Sequence, residues 1–197
     1  TDGSISRAIE MIRSLDGKVS AFGMGGIDLY LSGANKKYMI RDAIPIKNAA
    51  KKTPIVDGTG IKNTLEKNVI KYLDDNRIIL FKNKKALVTC AVDRYRMAQG
   101  LQEAGCSLVL GDLIFALGIP VPIRSLRVFE RMVQTLIPAV SRLPINLLYP
   151  TGKKQESSTR KYERYYNQVD IIAGDFIYIK KYMPKSLAGK VIITNTC

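Results

Sequence analysis

Between Lys85 and Asp112 the chain follows an order that few folds accept. An apolar run, Ala86 to Val92, is followed by a polar turn, a stretch of helical period rich in Ala, Gln, Leu and Glu, Gly105, and a second apolar run ending at Gly111-Asp112. Apolar runs of this length read as strands buried on both faces, and two of them joined through a helix lie parallel in a sheet. The pattern returns later, with Val169 to Ala173 as a strand, a connector ending near Leu187, and Val191 to Thr194 as the next strand. Two crossover units in series predict an α/β fold, a Rossmann-like and mostly parallel sheet with flanking helices over residues 81–197. The turn after the first strand reads Asp93-Arg94-Tyr95-Arg96 and carries no Gly-x-Gly-x-x-Gly.

Residues 1–80 predict a small α+β lobe that precedes the sheet. Ser4 can cap a helix whose Ile5, Ala8, Ile9, Ile12 and Leu15 share one face, with Asp16-Gly17 as its end. Lys18 to Phe22 reads as a strand, Ile27 to Leu31 as a second, Ser32 to Asn35 as a turn, and Lys37 to Ile40 as an antiparallel return. Ile44 to Lys52 is a basic stretch, Ile55-Val56 a strand, Asp57 to Gly60 a turn, and Leu65, Val69, Ile70 and Leu73 mark a helix before a short strand at Asn76 to Phe81. In the sheet domain, Ser125 to Val140 has helical period with Pro138 near its end, Leu143 to Tyr149 is apolar, Pro150 to Lys154 is a loop, and a polar, Tyr-rich helix is expected at Thr159 to Gln168. The chain opens on Thr1 and stops just after a predicted strand, so both the lobe and the sheet domain are expected to be incomplete pieces of a longer or processed protein.

Thirty-one Lys and Arg against seventeen Asp and Glu leave a net charge of +14, a field that attracts anionic metabolites and phosphates as well as keeping the surface solvated. The basic residues are spread along the chain, densest from Lys153 to Arg164, and no nucleic-acid module is recognisable, which argues against nucleic acid as the main partner. Three scattered cysteines and no histidine point to a reducing, cytoplasmic setting without a disulfide framework; the missing histidine excludes imidazole-based catalysis and, with no Cys-x-x-Cys, argues against a transition-metal site. No apolar run is long enough for a membrane span, and a homo-oligomer is compatible with the chain.

The candidate sites fall in two groups. At the end of the second sheet strand, Asp112 stands where an acidic residue binds the ribose of NAD, and it would repel the 2′-phosphate of NADP; a helix cap or loop aspartate is the competing reading. Asp93, Arg94 and Arg96 in the first turn would face a pyrophosphate, and Asp175 lies at the carboxyl edge after the later strand. In the lobe, Asp57 in Asp57-Gly58-Thr59-Gly60 is either a turn and N-cap residue or an acid/base group, with Lys47, Lys51, Lys52 and Lys62 as basic neighbours in sequence. Gly23-Met24-Gly25-Gly26 is either an anion-binding nest or a strand bend.

Several runs, Phe22 to Tyr30, Thr53 to Glu66, Gly111 to Gly118, Leu148 to Gly152 and Ala173 to Phe176, resemble bacterial proteins labelled quinate 5-dehydrogenase. More distantly, Asp57-Gly58-x-Gly60 ahead of a nucleotide-binding-type strand resembles the shikimate/quinate dehydrogenases. That resemblance implies oxidation of a cyclic hydroxy acid with NAD or NADP, of which the Asp112 charge favours NAD. It also implies that Asp57 is the catalytic aspartate and that Lys47, in Pro45-Ile46-Lys47, is its lysine partner. The implied partners are therefore a small anionic metabolite and a dinucleotide.

Overall fold

The computed structural model describes residues 4–25, 28–33, 36–142 and 161–194. The expected readings of Gly26-Ile27, Ala34-Asn35, Leu143 to Tyr149, Pro150 to Lys154 and Thr159-Arg160 lie outside the described residues. Two compact units are present, Thr1–Gly60 with Val133–Gln155, and Ile61–Met132 with Glu156–Cys197.

In the first unit, α1 (Ile5–Leu15) begins at Ser4, whose hydroxyl accepts the Arg7 N–H at 3.3 Å. Gly17, at φ +80, ends the helix. The strand expected at Lys18 to Phe22 is shorter than its sequence implies. The Lys18 N–H bonds back to Leu15 O at 2.9 Å, and only β1 (Phe22–Gly23) is extended, pairing in parallel with β4 (Ile55–Val56). A hairpin, β2 (Tyr30–Gly33) and β3 (Lys36–Met39), pairs antiparallel with Tyr30 opposite Met39, and it takes Ser32 and Gly33 into the strand rather than into the turn. The stretch read only as basic, Ile44 to Lys52, contains the helix α2 (Ala43–Ala49). Pro45 is tolerated there because it sits in the first turn, where a backbone N–H has no helical partner to lose. Ala43, Ile46 and Ala49, three residues apart, are the buried face.

The second unit contains the sheet. Strands β5 (Lys85–Val88), β6 (Ser107–Leu110), β7 (Ile171–Ala173) and β8 (Val191–Ile193) are all parallel in the order β6-β5-β7-β8. Between them in sequence run α4 (Tyr95–Glu103), α5 (Asp112–Phe115), α6 (Leu126–Val140), whose residues from Val133 onward belong to the first unit, α7 (Glu163–Asn167) and α8 (Phe176–Tyr182). Helices therefore flank a mixed α/β architecture with a four-stranded parallel sheet, as the repeated crossover pattern predicts. The first strand in sequence lies inside the sheet. Its crossover leads outward to β6 and the later ones lead to the opposite edge, which makes the carboxyl ends of β5 and β7 the point where the strand order reverses.

α3 (Thr59–Asp75) belongs mostly to this second unit, although the sequence division at 80/81 assigns it to the lobe. The reason is packing. Gly100 of α4 leaves room for Ile70, whose Cβ lies 3.2 Å from where a Gly100 side chain would begin. The expected apolar face of α3 is partly displaced too, since Leu65 is 52% exposed while Glu66 is buried. No strand forms at Asn76 to Phe81. The Ile78 and Ile79 N–H groups both turn back to Leu73 O, and Arg77 takes φ +54.

The Tyr-rich segment that reads as polar is core. Tyr162, Tyr165 and Tyr166 are buried with Tyr182 around Phe115, which meets Tyr162 and Tyr166 edge-on at 5.8 and 5.7 Å. Burying a phenol is favourable only when its hydroxyl finds an acceptor. Here Tyr182 donates to Phe115 O at 2.8 Å, Tyr162 to Gly118 O at 3.2 Å and Tyr165 to Pro120 O at 2.7 Å. The last two bonds satisfy carbonyls of a segment that its prolines bar from regular structure, and the first satisfies the last residue of α5. No helix among the described residues is long and apolar enough to cross a membrane.

Candidate functional site

At the carboxyl end of β5 the chain leaves the sheet through Thr89 to Arg94 and enters α4. This is where an open parallel sheet presents backbone N–H groups to a ligand anion. Here an anion of the protein itself occupies two of them: the Asp112 carboxylate accepts the Ala91 N–H at 3.0 Å and the Val92 N–H at 2.9 Å. Asp112 is 9% exposed. Burial pushes its carboxyl up to about 6 against the pull of those two amides. The residue expected to hold a ribose is thus a strut between the ends of β5 and β6.

Arg94 is buried beside it. Its Nη1 donates to Glu66 Oε1 at 2.7 Å, its Nη2 to Asp175 Oδ2 at 3.1 Å, and its Nε lies 3.3 Å from Asp93 Oδ2. Asp93 in turn receives Lys62 Nζ at 2.6 Å. Asp175 has a second duty, since its Oδ1 accepts the Ile177 N–H at 2.8 Å and caps α8. Burial drives the Glu66 carboxyl above its ordinary value even with Arg94 in contact. Among the described residues no hydrogen bond reaches Glu66 Oε2 or Thr89 Oγ1, both buried. Gly174, at φ +138, packs so closely on Thr89 that a Cβ would overlap the hydroxyl. Cys90, next in the turn, is buried, and burial followed by the nearby Asp112 charge raises its thiol far above the range of a reactive cysteine.

Four of the five residues expected on the cofactor side, Asp93, Arg94, Asp112 and Asp175, therefore meet at the reversal point of the sheet. Arg96 stands apart, bonded to Gln99 at 2.8 Å over the Tyr95 ring. Glu66 was not visible as a site residue, because its spacing on α3 resembles that of any solvated helix glutamate. Its one signal is a place between Leu65 and Val69, two residues of the expected apolar face.

Residues matched to a dinucleotide do not fit one in the usual seat. The pyrophosphate needs close backbone approach and free amides, whereas the turn lacks glycine, two of its amides hold Asp112, and the Arg94 guanidinium is committed to Glu66 and Asp175. Among the described residues no group of His, Cys, Asp and Glu could hold a metal ion.

In the first unit the residues implicated by the dehydrogenase resemblance converge on two consecutive residues. Asp57 accepts the Leu29 N–H at 2.8 Å through Oδ2 and the Thr59 N–H at 3.1 Å through Oδ1. Lys47 Nζ donates to the Tyr30 hydroxyl at 3.2 Å and lies 5.7 Å from its ring centre. All three side chains are half-buried. Tyr30 closes the Phe22 to Tyr30 run of the resemblance without a role there, and enters the site only through Lys47.

A family model described as Domain of unknown function (DUF8754) matches residues 60–197. The chain belongs to this family. The DUF8754 region begins at the last residue of the Asp57 to Gly60 turn and covers the whole parallel sheet. Residues 1–57 match a second model, Domain of unknown function (DUF8753). No curated protein and no solved structure matches the chain.

Proposed function

We propose that this DUF8754 protein is an oxidoreductase of the quinate/shikimate type acting on a cyclic hydroxy acid, with Lys47 and Tyr30 handling the proton of the substrate hydroxyl and Asp57 holding them in register. The reading rests on one juxtaposition: Lys47 bonds to Tyr30 at 3.2 Å while Asp57 bonds to the preceding residue, Leu29, at 2.8 Å. Oxidation of a secondary alcohol removes a proton from oxygen and a hydride from carbon. The Tyr30 hydroxyl, bonded to Lys47 Nζ, offers a relay for that proton. The resemblance names NAD or NADP as hydride acceptor. Because the first turn does not fit the pyrophosphate, no hydride step is assigned to its residues.

The net charge of +14, a field that attracts phosphates of any kind, favours a second reading, a Rossmann-like protein that binds another phosphorylated metabolite or nucleotide without dehydrogenase activity. Calorimetric titration with NAD and NADP, followed by assays of quinate and shikimate oxidation, separates the two. The first reading expects turnover that falls by about 100-fold or more in both Asp57→Asn and Lys47→Met. Turnover unaffected by either change would remove these residues from the mechanism, and saturable nucleotide binding without turnover in the unaltered protein would leave the second reading.

A further inference from the structure

We infer that the cleft between α1 and α2 binds a small carboxylate carrying a compact apolar body. The cleft has a volume of about 440 Å³, within the range of small-molecule sites. Its apolar lining is Ile9, Pro45 and Ala49, and its polar lining is Arg13, Asn48, Lys51 and Asp16. It uses none of Lys47, Tyr30 and Asp57, so the inference does not rest on the dehydrogenase reading.

Three observations carry it. First, the side chains of Arg13, Asn48 and Lys51 make no hydrogen bond or ion pair among the described residues, so two cationic groups and an amide face the cleft uncommitted. A guanidinium matches a carboxylate with two parallel N–H donors, and an ammonium adds a point charge. Second, the one carboxylate in the lining is already engaged by backbone. Asp16 accepts the N–H groups of Lys51 at 2.8 Å, Lys52 at 3.0 Å and Thr53 at 2.8 Å, so it stays charged but its oxygens are committed, and the two cations outnumber it. Third, the apolar lining gives a bare inorganic anion nothing to bury, while a ring or branched chain would cover Ile9 and Pro45.

The test is an amide-resolved NMR titration of the whole chain with benzoate, and separately with inorganic phosphate. Saturable benzoate shifts centred on Ile9, Arg13, Asn48 and Ala49 are expected. They should weaken about tenfold in the Arg13→Gln/Lys51→Gln double variant and persist in Lys47→Met. Both altered side chains in the double variant are exposed, and an unchanged circular dichroism spectrum would verify its fold. The absence of benzoate shifts up to about 20 mM, equal binding by the double variant, loss of binding in Lys47→Met, or binding of phosphate alone would each overturn the assignment.

Discussion

Asp16 in the first unit and Asp112 in the second hold successive backbone amides, and the two carboxylates respond in opposite directions. Asp16 lies near the surface with the N–H groups of residues 51, 52 and 53 around it, and those bonds, the one from Thr53 foremost, lower its carboxyl to about 2. Asp112 has two amides and almost no solvent, and burial lifts it to about 6. The number of hydrogen bonds therefore does not decide the sign. Water does: at the surface the bonds add to good solvation of the charge, whereas in the sheet domain they only partly replace it. Each amide cluster is an anion site in form, and each is filled by an aspartate from a distant part of the chain.

The largest expected effect is at Asp112. Removing its carboxylate by Asp112→Ala leaves the Ala91 and Val92 N–H groups without an acceptor beside an emptied space, and urea unfolding at pH 5 should show a loss of about 3 kcal/mol. A loss below about 1 kcal/mol would mean that water replaces the carboxylate, and the contrast with the surface site would collapse.

The pH dependence sharpens the contrast. A carboxyl raised in the folded state contributes stability that is complete below its ordinary value of 3.8 and is lost as pH rises through about 6. The stability of Asp112→Asn relative to the unaltered protein should therefore improve between pH 4 and pH 7, by about 2 kcal/mol. A flat or opposite trend would show that the buried charge is better compensated than its two amide bonds indicate.

For Asp16 the window lies elsewhere. Its carboxyl is lowered, so its contribution is complete above 3.8 and disappears as pH falls through about 2. Asp16→Asn should flatten that acid limb and reduce Tm at neutral pH less than Asp112→Ala does. A larger drop at Asp16 would reverse the ranking of the two sites.

The contrast also marks what local pattern reveals. The strand, crossover and strand pattern at Lys85 to Asp112 is visible because apolar period and turn chemistry are short-range. The Ser4 cap is legible for the same reason. α2 escaped because Pro45 and the neighbouring lysines resemble a loop when the register of Ala43, Ile46 and Ala49 is overlooked. Tyr162, Tyr165 and Tyr166 read as polar because nothing in their own segment announces that carbonyls at Gly118 and Pro120 await two of their hydroxyls.

At the candidate site the division is the same. The sequence by itself determined that a parallel α/β sheet would form, that its first turn would lack glycine, and that Asp112 would follow closely on the second strand, since each follows from residues within a few positions of one another. Only the tertiary structure decided the strand order β6-β5-β7-β8, the approach of Asp112 to amides twenty and twenty-one residues earlier, and the joining of Arg94 to Glu66 and Asp175 across separations of 28 and 81 residues. Such pairings depend on which buried charges and donors the packed chain leaves without water, and no local period encodes that.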